Sequence, residues 1–491
     1  MKGTNSMGGK RITVVGASEL GCEFALAAQQ AGFEVTLVDE HPQALKNMSF
    51  DAPYFYGSGL PPSLSDETAV FDNVLGSNEL MLECVENEVD VKIGVVAWGA
   101  FHNTANSIHI GVPKVGLVSR EGNELVEYDH LVLATGSRDF VPSFKGWELP
   151  GVLGGKAGLK LLNAYQCFSG TKCLVLGTTT LAVEFAKAAL AHGIAIAGFV
   201  EPTTGFKAGA ESLKWATTQN IPVFYDCVIL EADGTDRVTS ATITSLVRSK
   251  NTEIDCDTIC VAIGALPNIE LPAAMGCALS FAQDLPAWVP SVDGRLLTSV
   301  PNVYWLSGFT ETENQVSKIL SAVGGGEDEQ ASAAAGHGSA KQADYIDLWV
   351  AKLVERGGTD VVLCQCETVT RGEFLDLKPP RYLGAGLRAP HGAVTGGETG
   401  PKINQDLTKR MTRVGMGHCQ GKRCRDEAAI LLSQRYGVPL EDIRPGSYRF
   451  PVRPIDMSLI AAEDDDYHTR EKWPHWMHEE VVPEGAAGDK R

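Results

Sequence analysis

The chain is short of positive charge, of cysteine and of long apolar runs, and each shortage argues against a class of function. Lysine and arginine number 42 against 61 aspartates and glutamates, for a net charge of −19. Nucleic-acid binding rests on clustered Lys and Arg that neutralise phosphates, so this balance points away from it. No apolar run reaches the ~18 residues a membrane-spanning helix needs. The opening MKGTNSMGGKRITVVG has the basic and apolar character of a signal peptide, but Glu19 and Glu23 interrupt the next stretch and no small-residue cleavage site appears. Twelve cysteines in 491 residues are too sparse for a disulfide scaffold. The expectation is a cytoplasmic protein without a membrane span.

What is present is a globular composition, 44% hydrophobic and 21% charged with 52 glycines, in a chain long enough for about two or three domains. Four of the cysteines fall in two tight pairs near the end: Cys364 and Cys366 in LCQCETVTRGEF, Cys419 and Cys424 in TRVGMGHCQGKRC. The intervening segment is long enough to fold back and bring the pairs together. Thiolates select zinc or iron-sulfur clusters. The absence of any Cys-x-x-Cys pair among these four argues against a structural zinc site, and Gly415, Gly417 and Gly421 let backbone amides approach cluster sulfurs. A 2Fe-2S cluster on Cys364, Cys366, Cys419 and Cys424 is the reading preferred over zinc or unrelated buried thiols.

Residues 11 to 40 read as strand, glycine turn, apolar-striped helix and strand. Gly16 and Gly21 take the first and third positions of the G-x-G-x-x-G dinucleotide fingerprint, with Ala17 and Ser18 between them. Ser18 stands at the middle glycine, tightening the approach to a pyrophosphate without forbidding it. Asp39 and Glu40 end the second strand, where an acid accepts from ribose hydroxyls. A strand-rich stretch from 91 to 128, in which Val96 is counted as a cofactor contact, leads to LVLATGS, whose Ala134, Thr135 and Gly136 form a turn after a buried strand. A second unit, TKCLVLGTTTLAVEFAKAALAHGIAIAGFVE, keeps Gly177 but has Thr179 and Ala182 at the later fingerprint positions and ends on Glu201. Its crowded turn favours a structural role over a working NAD(P)H site.

The turn at 134 to 136, the connector GWELPGV and the closing strand DTICVAIGALPN resemble two-dinucleotide-binding-domain flavoproteins. That resemblance places Gly308 of PNVYWLSGF at the flavin side, where Phe309 stands in place of the usual aspartate. The expected fold is α/β: two Rossmann-like, glutathione-reductase-like domains and a small C-terminal 2Fe-2S domain. The first domain would take 10–150 and 285–355, the second 151–284, a BFD-like cluster domain 358–450 and an acidic arm 455–491. Within the cluster domain, the glycine-rich 381–402 reads as an inserted loop. His468, His475 and His478 in the tail read as part of a peripheral arm rather than as metal ligands.

The order of two Rossmann units, LATGSR, GWELPGV, CQCE, RVGMGHCQGKRC and RFPVRPI over about residues 10 to 455 is similar to that of the alpha subunits of heteromeric flavin amine dehydrogenases. These are the opine oxidases, the D-hydroxyproline dehydrogenases and the hydrogen cyanide synthase middle subunit. The resemblance implies an oxidoreductase subunit of an FAD/FMN-dependent amine or amino-acid dehydrogenase. It would relay electrons from a D-amino-acid-oxidase-like FAD beta subunit through the cluster to an external acceptor. FAD, or another adenine nucleotide such as NAD or ATP, would sit in the first unit. An FMN can lie at the subunit interface, and a small ferredoxin-like subunit can join the complex. No catalytic residue is assignable: the sequence shows no Ser-His-Asp order, protease helix or proton-abstracting dyad. A self-sufficient NAD(P)H-dependent flavoprotein reductase and a nonenzymatic redox-sensing scaffold stand as alternatives.

Overall fold

The computed structural model describes residues 10–42, 66–104, 110–119, 121–309, 314–325, 341–378 and 405–461. The loop expected at 381–402 and the histidines of the tail lie outside them. Among the described residues no helix is long and apolar enough to cross a membrane.

Two parallel five-stranded sheets carry the molecule. In the first, strand β1 (Arg11–Val15) lies at the centre, with β2 (Glu34–Asp39) and Asp90–Ile93 on one side and His130–Leu133 and Val303–Trp305 on the other. In the second, β3 (Lys172–Leu176) is central, flanked by β4 (Ala195–Glu201) and Val223–Tyr225 on one side and by Thr258–Val261 and Val152–Gly154 on the other. Val, Ile and Leu dominate both central strands, and the last four residues of each are buried, as a parallel sheet covered on both faces requires. Helix α1 (Glu19–Gln30) crosses from β1 to β2 and α2 (Thr180–Ala191) from β3 to β4. Each unit also carries a three-stranded antiparallel meander, at Val96–Phe101, Lys114–Val118 and Asn123–Glu127 in the first and at Cys227–Asp233, Ser240–Ser245 and Asn251–Asp255 in the second. The chain therefore contains one architecture twice. It returns to the first sheet at Val303–Trp305. Helix α3 (Lys341–Gly357), expected to belong with the first unit, instead packs on the second meander and on the C-terminal segment.

That segment contains a two-stranded ribbon (Val362–Cys364 with Val369–Thr370), a short helix (Arg371–Leu375) held by a capping box between Thr370 and Glu373, α4 (Gln405–Thr412) and α5 (Arg425–Tyr436). It is anchored through charges taken fully out of water. Arg371, 0% exposed, donates to the Ser143 hydroxyl at 3.1 Å and also to its carbonyl, and lies 3.4 Å from the Glu427 carboxylate. Glu427, 1% exposed, accepts from the Ser143 amide at 2.8 Å and hydroxyl at 2.6 Å. Trp147 Nε1 adds a bond to the Val362 carbonyl at 2.6 Å.

Removing one partner of such a buried pair strands the other charge. Glu427→Ala is expected to cost about 3–5 kcal/mol, measured by urea denaturation. Arg371→Met with Glu427→Leu should cost less than the sum of the single changes. Additive losses would show that the pair does not act as a unit.

Candidate functional site

The two fingerprint turns are built alike. Gly16 has φ +111°, and a Cβ there would stand 2.1 Å from the Ala134 carbonyl oxygen; Gly177 has φ +96°, and a Cβ would come 2.8 Å from the Ala262 oxygen. Both positions accept only glycine. Ser18 caps α1 by accepting from the Gly21 amide at 3.3 Å, and Thr179 caps α2 by accepting from the Ala182 amide at 3.3 Å. Gly21 packs against the Gly16 backbone, where a Cβ would come within 2.1 Å of its oxygen. Its part is helix-to-strand contact.

The first turn opens into a cavity of about 640 Å³. Gly16, Ala17, Ser18, Asp39, Glu40, Ala134, Thr135 and Gly136 all line it, so the structure brings together most of the nucleotide contacts read from the sequence. Val96 is buried on its strand while its neighbours Val95 and Ala97 line the cavity, the outcome of the two-residue period of a strand. Gly308 is not among the lining residues, and Phe309 packs on the hydrophobic core. Asp39 accepts from the amides of Ala17 and His41, both at 2.8 Å. Glu40 pairs with Arg453; burial raises the Glu40 carboxyl, but Arg453, ahead of His41, outweighs it and brings the pKa to about 2.

The cavity also reaches one of the thiols: Gln365, Cys419, Lys422 and Arg423 are part of its wall. The four cysteines expected to act together do converge. Cys366 donates to Cys419 and Cys424 to Cys364. The Cys366 thiol, ahead of the amides of Arg423 and Gly421, holds Cys419 down to about 5 against its burial. Cys424 and the amides of Gly415 and Glu367 likewise lower Cys364. All twelve cysteines are free. Among the described residues no set of three or more His, Cys, Asp or Glu forms a preassembled metal cage; the sulfurs stand instead as two neighbouring pairs, Cys366 with Cys419 and Cys364 with Cys424. Soft donors with amides aimed at their sulfurs nevertheless fit an iron-sulfur group.

A pyridine nucleotide-disulphide oxidoreductase family profile matches residues 74–337, with a second match of the same description at 11–53. The chain belongs to this oxidoreductase family. It is 25% identical to hydrogen cyanide synthase subunit HcnB of Pseudomonas aeruginosa over 68% of this chain and 76% of that protein. It is 27% identical to an opine oxidase subunit of Rhizobium meliloti over 67% of this chain and 75% of that one. The identity to its Agrobacterium tumefaciens counterpart is 21% over 92% and 91%. Among solved structures, L-proline dehydrogenase from P. horikoshii superposes with a TM-score of 0.58 at 18% identity, covering 92% of this chain and 80% of that one, a likeness of fold. Within this FAD-binding family the open first turn is where the fold presents a nucleotide site.

Several wall residues lay beyond sequence reasoning because they come from distant segments. Lys156, Lys160 and Tyr165 follow the connector, and Val452 and Arg453 come from the C-terminal strap. The strap is pinned by the Val452 amide to the Trp98 carbonyl at 2.9 Å and by Lys422 Nζ to the Val452 carbonyl at 2.7 Å. The RFPVRPI motif was the one signal available, and it names no partner. Arg138 joins the nucleotide turn to the thiol loop, donating to the Lys422 carbonyl at 3.1 Å and pairing with Asp426 at 2.5 Å and Glu270 at 3.2 Å.

His41 gives the site a pH dependence. Its Nδ1 lies 2.9 Å from the Tyr165 hydroxyl. Burial and then Lys160 hold it down to about 4, against Asp39 and Glu40, which favour its charged form. An unfolded histidine protonates near 6.5, so between about 6.5 and 4 the unfolded state binds the extra proton and stability falls as pH falls. Urea denaturation at pH 7 and pH 5 should show this loss, and His41→Gln should flatten it. An unchanged slope would place the dependence elsewhere.

Proposed function

We propose that this chain is the electron-transferring subunit of a heteromeric flavoenzyme that oxidises an amino acid or secondary amine of the opine, hydroxyproline, sarcosine or glycine type. The observation that carries the reading is the single cavity whose walls run from Gly16, Ser18 and Asp39 to Cys419. A nucleotide site and a thiol site on one cavity suit electron transfer better than binding or scaffolding.

In this reading FAD, or another adenine nucleotide, is held over the Gly16 turn, its phosphates toward the first amides of α1 and its ribose toward Asp39. Cys364, Cys366, Cys419 and Cys424 hold a 2Fe-2S cluster. When bound, a flavin exchanges electrons in ones or twos and the cluster in ones, the combination that couples a two-electron substrate to a one-electron acceptor. The chain's own residues do the rest. Asp39 has two donors among the described residues and so keeps acceptor capacity toward the cavity. Arg138 fixes the backbone of the thiol loop at Lys422 relative to the nucleotide turn, while the amides of Gly415, Glu367, Gly421 and Arg423 stabilise sulfur in its charged form. The relatives named as subunits support a partner chain. Substrate dehydrogenation is assigned to that partner, an FAD protein of D-amino-acid-oxidase type. FMN at the interface and a small ferredoxin-like protein are further components.

Iron and acid-labile sulfide in equal amounts, with a paramagnetic signal on reduction, are expected from protein prepared without oxygen. Zinc in place of iron would reject the cluster. Cys419→Ser in the complex should leave bleaching of the partner flavin by substrate intact and abolish turnover with the acceptor. Amine oxidation by the isolated chain would overturn its assignment to a multi-chain enzyme.

A further inference from the structure

The pyridine-nucleotide family to which the chain belongs implies a reduced nicotinamide dinucleotide on the second Rossmann unit. The residues at that position do not fit one. Glu201 ends β4 where an acid would read the adenosine ribose, the place Asp39 holds in the first unit. The correspondence is close: the Gly16 amide donates to the Val38 carbonyl at 2.7 Å and the Gly177 amide to the Val200 carbonyl at 2.9 Å, each one residue before the acid. The surroundings of the two acids are opposite. Asp39 lines the large cavity. Glu201 is 0% exposed.

Glu201 is also saturated. One carboxylate oxygen accepts from the Thr178 hydroxyl at 2.6 Å and the Tyr345 hydroxyl at 2.6 Å; the other accepts from the Thr203 amide at 3.1 Å and hydroxyl at 2.7 Å. A carboxylate offers about four acceptor positions, so none is left for a ribose. Tyr345 is brought there by α3 and is itself 5% exposed, edge-on to Trp349 and with the Lys207 ammonium 5.1 Å from its ring centre. The fingerprint turn is covered as well. Thr178 accepts at its hydroxyl from the Lys207 amide at 2.9 Å and at its carbonyl from the Ala208 amide at 2.8 Å, so the chain after β4 folds over it. Thr179, in the place of the second glycine, spends its hydroxyl proton on the Ala262 carbonyl at 2.6 Å.

We infer that the second Rossmann unit is closed by the protein's own helix, with Tyr345 occupying the ribose position, and that neither NADH nor NADPH binds it. Electrons therefore enter this chain by a route other than its second nucleotide fold. This argues against a self-sufficient reductase that takes NAD(P)H on its second unit, and stands independently of the amine-dehydrogenase reading, which is tested by iron content and partner-dependent turnover.

The test is titration of the full-length protein with NADH and with NADPH, followed by energy transfer from tryptophan to the nicotinamide and by hydrogen exchange. The wild type is expected to show no saturation up to about 1 mM, or saturation that protects only the Gly16 to Gly21 turn. Tyr345→Phe, which removes one donor and keeps the ring, should behave as wild type. Tyr345→Ala, shown folded by its melting curve, should gain saturable binding at least about tenfold tighter than any by the wild type, with protection at 178–182 and 201–203. Micromolar binding by the wild type that protects 178–182 and 201–203 would overturn the inference, whether or not Tyr345→Ala folds. A folded Tyr345→Ala that binds no better would overturn Tyr345 as the closing group.

Discussion

The arrangement depends on a buried ion pair between parts of the chain far apart in sequence. Arg371 and Glu427 belong to the thiol-bearing segment, and Ser143, which bonds both, belongs to the end of the first nucleotide unit. Two charges removed from water are tolerable only when each is paired and its remaining hydrogen-bonding groups are satisfied. Arg371 also reaches the carbonyls of Leu353 and Gly358, and so ties in the end of α3. A sliding of any of these parts would break bonds in a dry environment. The position of the thiols relative to the nucleotide turn is thereby defined more sharply than apolar packing alone would define it.

Much of this was legible in the sequence because it is local. A β-branched run, a glycine turn and a striped helix specify one crossover unit, and Gly16 and Gly177 announce turns that no side chain can occupy. That the two cysteine pairs meet was legible because the segment between them is long enough to fold back on itself. What was not legible is long-range. Val96 differs from Val95 and Ala97 only by the phase of the strand, which no single residue type reveals. Glu40 reads as a ribose acceptor, and the sequence does not show that Arg453, from a segment more than four hundred residues away, bonds one of its carboxylate oxygens. Helix α3 reads as part of the first unit by order in the chain, whereas it packs on the second meander and on α5.

The two copies of the unit differ little in their local pattern. Both copies keep the strand order, the glycine at the turn, a hydroxyl cap on the helix and an acid at the end of the second strand. The difference lies in what covers the acid. In the first copy the acid lines a cavity; in the second a tyrosine and two threonines hydrogen-bond it. A buried acid at this position costs little stability when internal donors satisfy it, as they do at Glu201. In the β-α-β pattern the only trace is the turn, where Thr179 and Ala182 stand at the later fingerprint positions; the covering of Glu201 by Tyr345 leaves no local mark.

The same logic explains why the cavity is a joint property of the molecule. Its walls come from the first nucleotide turn, the connector helix at Gly155–Asn163, the thiol loop and the C-terminal strap. Lys422 ties the thiol loop to the strap, and Arg453 ties the strap to Glu40 at the nucleotide end. Anything that binds the assembled cavity and not its separated parts stabilises all of these contacts together. Anything that orders the thiol loop favours the cavity by the same amount. Occupancy at one end is thus linked thermodynamically to order at the other through the few side chains between them, and the link requires no movement larger than breaking those bonds.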